Sequence, residues 1–194
     1  HQALEDISIM RSLPGMTVVV PCDAYEAYAA TLALAETPGP CYMRMGRSAF
    51  PVLKDEGCGF TIGKADVLRE GTDVSIIACG QMVQTCIEAI PALEKAGISA
   101  EVVNMATIKP LDDKALLASA IKTKAVVVAE EHNSAGGLGE LVAGVIAASC
   151  PVPMAFINGK DRWGQSGTPK ELLSAYGLDA AHIAEAARKA LGRK

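Results

Sequence analysis

A chain of 194 residues has room for one large domain, or for one compact domain and part of another, and with half its residues hydrophobic but only 4% aromatic its interior is expected to be Ala, Val, Ile and Leu. The formal net charge of -4 is spread over interleaved signs, with no basic stripe for a phosphodiester backbone and no Lys/Arg cluster beside an amphipathic anchor, which argues against nucleic acid and membrane partners. No apolar run approaches the roughly 20 residues that cross a bilayer, the start lacks a signal-peptide layout, and the six cysteines form no CxxC or zinc-ligand spacing, so a cytoplasmic protein with reduced thiols is expected.

The chain divides into two blocks. In the first, Leu4, Ile7, Met10 and Leu13 recur at helical spacing up to the stop at Pro14-Gly15, and MTVVVP then reads as a short buried strand. Asp23, with Glu26 three residues on, resembles a capping box opening the helix YEAYAATLALAE, and PGP leads into a second strand-like run, CYMRM. Helix, strand, helix, strand amounts to two βα units, fewer than the about 4 to 6 strands of a usual sheet. Over residues 49–72 Gly, Pro and charges break every sustained period, which marks a linker, with or without one hairpin.

The second block is regular. VSIIAC reads as an apolar strand, and QMVQTCIEAIPALEKAG as a helix with Met82, Val83, Cys86, Ile87, Ile90 and Leu93 on one face, ended by Gly97 where a left-handed cap is wanted. AEVVNM is a strand, DDKALLASAIKT a helix and AVVVAEE a strand. GGLGELVAGVIAASC is a helix marked by Leu138, Leu141, Val142, Val145 and Ile146, and MAFING is the last strand. Thr168-Pro169-Lys170-Glu171 combines a cap, a first-turn proline and a capping-box Glu, and Asp179 caps the final helix. This alternation predicts an α/β fold with a mostly parallel sheet flanked by helices on both faces.

Three stretches have the residue types for chemistry. EEHNSAGGLGE, residues 130–140, places ionisable groups and a Gly-rich turn between an apolar strand and a helix start, where open α/β sheets bind ligands and backbone N–H groups favour anions. His132 would then be an acid/base and the glycines an anion cradle. The spacing is neither GxGxxG nor GxxxxGK[ST], however, and a tight strand-to-helix turn accounts for the glycines equally well. Arg44 and Arg47 in CYMRMGRSAF, at the end of a strand, have the geometry to grip a phosphate or carboxylate bidentately; the alternative is an ordinary surface salt bridge. Alternation sends one of Arg44 and Met45 inward. His1 shows no pattern, and His182 reads as a surface or capping residue. Asp161, Arg162 and Trp163 form a polar loop around the single Trp, a kind of loop that often packs on a neighbouring protomer.

Taken together, these stretches resemble the thiamine-diphosphate-dependent transketolases almost end to end. HQALEDISIMRSLPGMTVVVPCDAYEAY is similar to the family stretch of a His-Gln pair, an acidic residue, a helix ending in R-[AS]-[LI]-P-[GN], a strand and a P-[AC]-D helix start. CYMRMGRSAF resembles the substrate-arginine strand, and GTDVSIIACG, MATIKPLD and EEHNSAGGLG the strands and turns of the family's C-terminal domain. The resemblance implies that residues 1–48 are a remnant of a partial α/β pyrimidine-binding domain, residues 49–72 a linker and residues 73–194 the transketolase C-terminal domain. It implies that the family's earlier residues, with the Glu that activates the cofactor and the GDG…N metal motif, are missing; no GDG occurs here.

By the same resemblance His1 matches a catalytic histidine near the aminopyrimidine and donor sugar, and Arg47, with Arg44 as the other candidate, the arginine that binds the sugar phosphate. The usual S-R-Q is replaced here by M-G-R-S. The implied activity is transfer of a two-carbon ketol unit between phosphorylated sugars, in the pentose phosphate pathway, by a complete enzyme using thiamine diphosphate and Mg (or Ca). The chain alone is expected to be inactive and to bind no cofactor. Its implied partner is a second copy in a homodimer, or an N-terminal transketolase portion or subunit. The family's C-terminal domain supports the dimer away from the cofactor, which favours the structural reading of residues 130–140. Deoxyxylulose-phosphate synthase and the β-subunits of 2-oxoacid dehydrogenases share this domain order, although His-Gln followed by Leu4-Glu5-Asp6 favours transketolase; a non-catalytic dimerisation or regulatory module is the reading from another class.

Overall fold

The structure, a computed structural model, describes residues 3–194, so the candidate His1 lies outside the described residues. The first block contributes α1 (Asp6–Ser12), β1 (Thr17–Val19), α2 (Ala24–Ala35) and β2 (Cys41–Met43). The rest of the chain forms β3 (Asp66–Arg69), β4 (Val74–Ala78), α3 (Met82–Lys95), β5 (Ala100–Asn104), β6 (Thr107–Lys109), α4 (Asp113–Thr123), β7 (Val126–Ala129), α5 (Leu138–Ser149), β8 (Met154–Ile157), α6 (Pro169–Tyr176) and α7 (Ala180–Leu191).

The main sheet has the order β3-β5-β4-β7-β8, parallel throughout except for the antiparallel edge strand β3. Its central strands are apolar because both faces are covered. Ile76 and Val127 face α3 and α7, whereas the alternate residues Ile77, Val126 and Val128 face α4 and α5. The mixed α/β fold with helices on both faces, expected from the alternation, is therefore the one observed.

Local chemistry sets most element ends. Gly97 adopts φ +72 just past α3, Pro169 occupies the first turn of α6, and Glu171 Oε2 accepts the Thr168 N–H at 2.9 Å. Asp179 caps α7 by accepting the His182 N–H (3.0 Å) and lies 2.7 Å from the His182 Nδ1, so His182 is a partner of the cap in the first turn. The box expected at Asp23 is only half built. Asp23 accepts the Glu26 N–H, but the Glu26 carboxylate turns instead to the Cys22 N–H (2.6 Å) and to Asn104 Nδ2 on β5 (2.7 Å), joining the two blocks.

Two strands escaped the sequence reading. β6 leaves the second block to pair antiparallel with β1, giving a three-stranded sheet β2-β1-β6. β3 occupies part of the 49–72 stretch expected to be a linker, because an edge strand needs only one covered face and tolerates the charges of Asp66 and Arg69. The stretch before it is tied down as well: Asp23 Oδ2 accepts the N–H groups of Leu53 and Lys54, both at 2.7 Å, and Lys54 pairs with Asp66. No described helix is long and apolar enough to cross a membrane. All six cysteines are free; burial pushes the thiols of Cys22, Cys79 and Cys86 up and leaves them unreactive.

The turn between β7 and α5 decides between the two readings of residues 130–140. Glu130, 1% exposed, places its own carboxylate at the N-terminus of α5 and accepts the N–H groups of Leu138 (2.6 Å) and Gly139 (2.8 Å). The anion cradle exists and the chain fills it itself. A Cβ at Gly137 would overlap that carboxylate, and one at Gly136 would overlap Ser8 of α1. His132 is fully buried; its Nε2 accepts the Ser8 N–H (3.3 Å), which leaves Nδ1 to donate to the Asn133 carbonyl (2.8 Å). The turn is structural, and an acid/base role for His132 is set aside because no solvent or substrate reaches its ring.

Gly137→Ala is therefore expected to destabilise the fold by about 1–3 kcal/mol through overpacking. Gly144→Ala, in the same helix but with nothing within 4 Å of the added Cβ, is expected to stabilise it by about 0.5–1 kcal/mol. Urea midpoints of the two variants check both signs.

Candidate functional site

A cavity of about 930 Å³ opens at the C-terminal ends of β2, β4 and β7, where Arg44, Gln81 and Glu131 follow the three strands. The loop at residues 164–167 and α6 close its far side. From β4 the chain winds one way to β5 and then the other way to β7, so Gln81 and Glu131 flank the point where strand order reverses. Ligand crevices of open α/β sheets form at such points because the connecting segments diverge to opposite faces.

Both arginines singled out in the sequence reach this cavity, in different states. Arg44 points inward with a 15% exposed side chain, while Met45 is 61% exposed, which resolves the alternation. Its Nε lies 3.3 Å from Asp6 Oδ2, its Nη1 3.4 Å from Glu131 Oε2, and its Nη2 donates to the Ala3 carbonyl at 3.4 Å. A guanidinium shared by two carboxylates has no charge left over for a substrate anion. Arg47 is exposed on the cavity wall, and among the described residues no carboxylate lies within 4.0 Å of it. Among the described residues the positive end of the cavity is therefore Arg47.

The M-G-R-S departure has a packing reason. A Cβ at residue 46 would come 2.6 Å from the Phe50 ring, so glycine lets that ring lie against the backbone immediately before Arg47. On β2, Tyr42 donates its hydroxyl to Asp6 Oδ2 at 2.8 Å; burial first, and then this bond, push the phenol up to about 12. Burial also raises the Glu131 carboxyl, and the Arg44 charge and the Gln81 side chain pull it back.

Asp6, Tyr42, Gln81 and Glu131 were not singled out in the sequence. One signal was available for Glu131: consecutive residues leaving a strand face opposite ways, so with Glu130 turned to α5 its neighbour had to face the other side. Among the described residues no three His, Cys, Asp or Glu side chains converge to hold a metal ion. Asp6 and Glu131, the carboxylates on the described lining, are both held by Arg44, so these residues do not fit a metal-bound diphosphate.

Residues 1–52 match the family model of the transketolase pyrimidine binding domain, and residues 63–183 that of the transketolase C-terminal domain. A 6-deoxy-6-sulfo-D-fructose transketolase subunit of Clostridium sp. (strain MSTE9) is 42% identical over 194 residues, which are 100% of this chain and 60% of that protein. An apulose-4-phosphate transketolase subunit of Phocaeicola vulgatus is 38% identical over 188 residues, 96% of this chain and again 60% of the relative. A solved structure described as a split gene transketolase, inactive beta4 tetramer, superposes with a TM-score of 0.94 at 44% identity and covers 100% of this chain and 63% of its own. The chain thus spans about 60% of the length of the curated relatives it matches. With both domain models matched along one chain and a solved relative superposing over all of it, the protein belongs to the transketolase family.

Proposed function

We propose that this chain is the C-terminal section of a transketolase that moves a two-carbon ketol unit between phosphorylated sugars, as in the pentose phosphate pathway. Thiamine diphosphate and Mg (or Ca) belong to the complete enzyme, and the chemistry that stabilises the ketol carbanion comes from that cofactor. The observation that supports the reading most directly is Arg47: an exposed, unpaired guanidinium on the wall of the switch-point cavity, at the position where the family resemblance puts the sugar-phosphate arginine. There it would hold a phosphate by charge-assisted hydrogen bonds.

Arg44, committed to those two carboxylates, is the weaker candidate for contact with substrate. His1 is proposed as the group that hydrogen-bonds substrate oxygens or carries a proton. Two relatives named as subunits, each matched over 60% of its length, support an N-terminal partner section, and the solved relative described as an inactive beta4 tetramer supports inactivity of this section by itself and its association with further copies. A cytoplasmic location follows from the substrates of such an enzyme.

The purified chain is expected to give no ketol transfer from a phosphorylated ketose to a phosphorylated aldose, and to give it once the N-terminal transketolase section, thiamine diphosphate and Mg are added. Turnover by the chain alone would refute the two-section reading, and restored condensation of pyruvate would point to deoxyxylulose-phosphate synthase. In the assembled enzyme Arg47→Ala is expected to raise KM for phosphorylated acceptors roughly ten- to a hundredfold, the range set by loss of a hydrogen bond to a charged group. Unphosphorylated acceptors should change little; an equal rise for both removes Arg47 from the phosphate site.

A further inference from the structure

The turn after β7 follows the opening segment of the chain contact by contact. Glu131 holds Arg44, which in turn holds the Ala3 carbonyl and Asp6. The Asn133 N–H donates to the Leu4 carbonyl at 2.7 Å, His132 Nε2 accepts the Ser8 N–H, and Arg11 Nε donates to the Gly136 carbonyl. Residues 131, 132, 133 and 136 thus track the chain from Ala3 to Arg11, directly after the candidate His1.

Within this series Glu131 is joined by an ion pair to Arg44, just past β2, and Arg44 carries the tie on to Asp6 in the opening segment that faces the cavity. It is not an arrangement that stability alone favours. Two carboxylates crowd one guanidinium, Glu131 is only 27% exposed, and Asp6 Oδ1 is buried without a hydrogen-bond partner among the described residues. A desolvated pair of like charges beside one cation costs free energy that an apolar contact would not, and such costs cluster at functional sites.

We propose that Glu131 is a positioning residue: acting through Arg44, it fixes the Ala3–Asp6 segment against the C-terminal sheet and so sets where the substrate-facing start of the chain stands. This rests on the transketolase reading above. The turn that looked like an anion site is then the rail on which the acid/base end of the site is aligned.

The test has two arms. In the enzyme assembled with its N-terminal section, Glu131→Gln is expected to lower kcat roughly tenfold or more by misplacement, with KM for the phosphorylated acceptor nearly unchanged because Arg47 is untouched. Arg44→Met should give the same split, and the double variant should be no slower than Arg44→Met, since the carboxylate acts only through the guanidinium. Multiplicative losses, an effect on KM alone, or an unchanged kcat would each overturn the proposal. The second arm needs no activity, and Gln keeps the shape of the side chain while removing its charge: hydrogen exchange on Glu131→Gln should speed up at the amides of residues 4–9 and stay unchanged in β4. Unaltered exchange at residues 4–9 sinks the positioning role even where ketol transfer is normal. If the wild-type assembly transfers no ketol unit, the functional reading fails while the exchange result still decides the positioning one.

Discussion

Three strands of three residues each, in the order β2-β1-β6, cannot bury an apolar face by themselves, and everything at the cavity follows from where that face goes. Ile7 of α1 and Val18 of β1 enter the same core as Ile77, Val103, Leu116 and Leu138 of the main sheet and its helices. Full burial of each such side chain is worth about 1.5–3 kcal/mol, whereas partly exposed ion pairs are worth about 0–1 kcal/mol. Apolar docking therefore holds the first block in place, and the polar ties between the blocks orient it.

Those ties are directional because each buried acceptor must meet its own donor. Glu26 reaches Asn104, Asp23 gathers the backbone of Leu53 and Lys54, and residues 131–136 align α1. One consequence is the cavity's polarity. With Arg44 neutralised between Asp6 and Glu131, positive charge among the described lining residues is left at Arg47, so the cavity separates the two signs rather than mixing them.

Membership in the transketolase family rests on two domain models matched along one chain and on a superposition that covers all of it. The same comparisons set this chain against about 60% of the length of its curated relatives.

The sequence alone determined the helix and strand periods of the second block, the caps at Asp23, Thr168 and Asp179, the glycine stop at residue 97, the α/β class and the family resemblance. Each is encoded within a few residues, where spacing and φ preference act directly. Tertiary structure decided the rest. β3 and β6 are too short or too charged to show a period and exist only because a neighbouring strand offers hydrogen bonds. Whether the 130–140 glycines cradle a ligand or Glu130, and whether Arg44 or Arg47 keeps a free charge, depended on partners distant in sequence. A residue type fixes what a side chain can bind, but only the packed chain fixes what is left within reach of it.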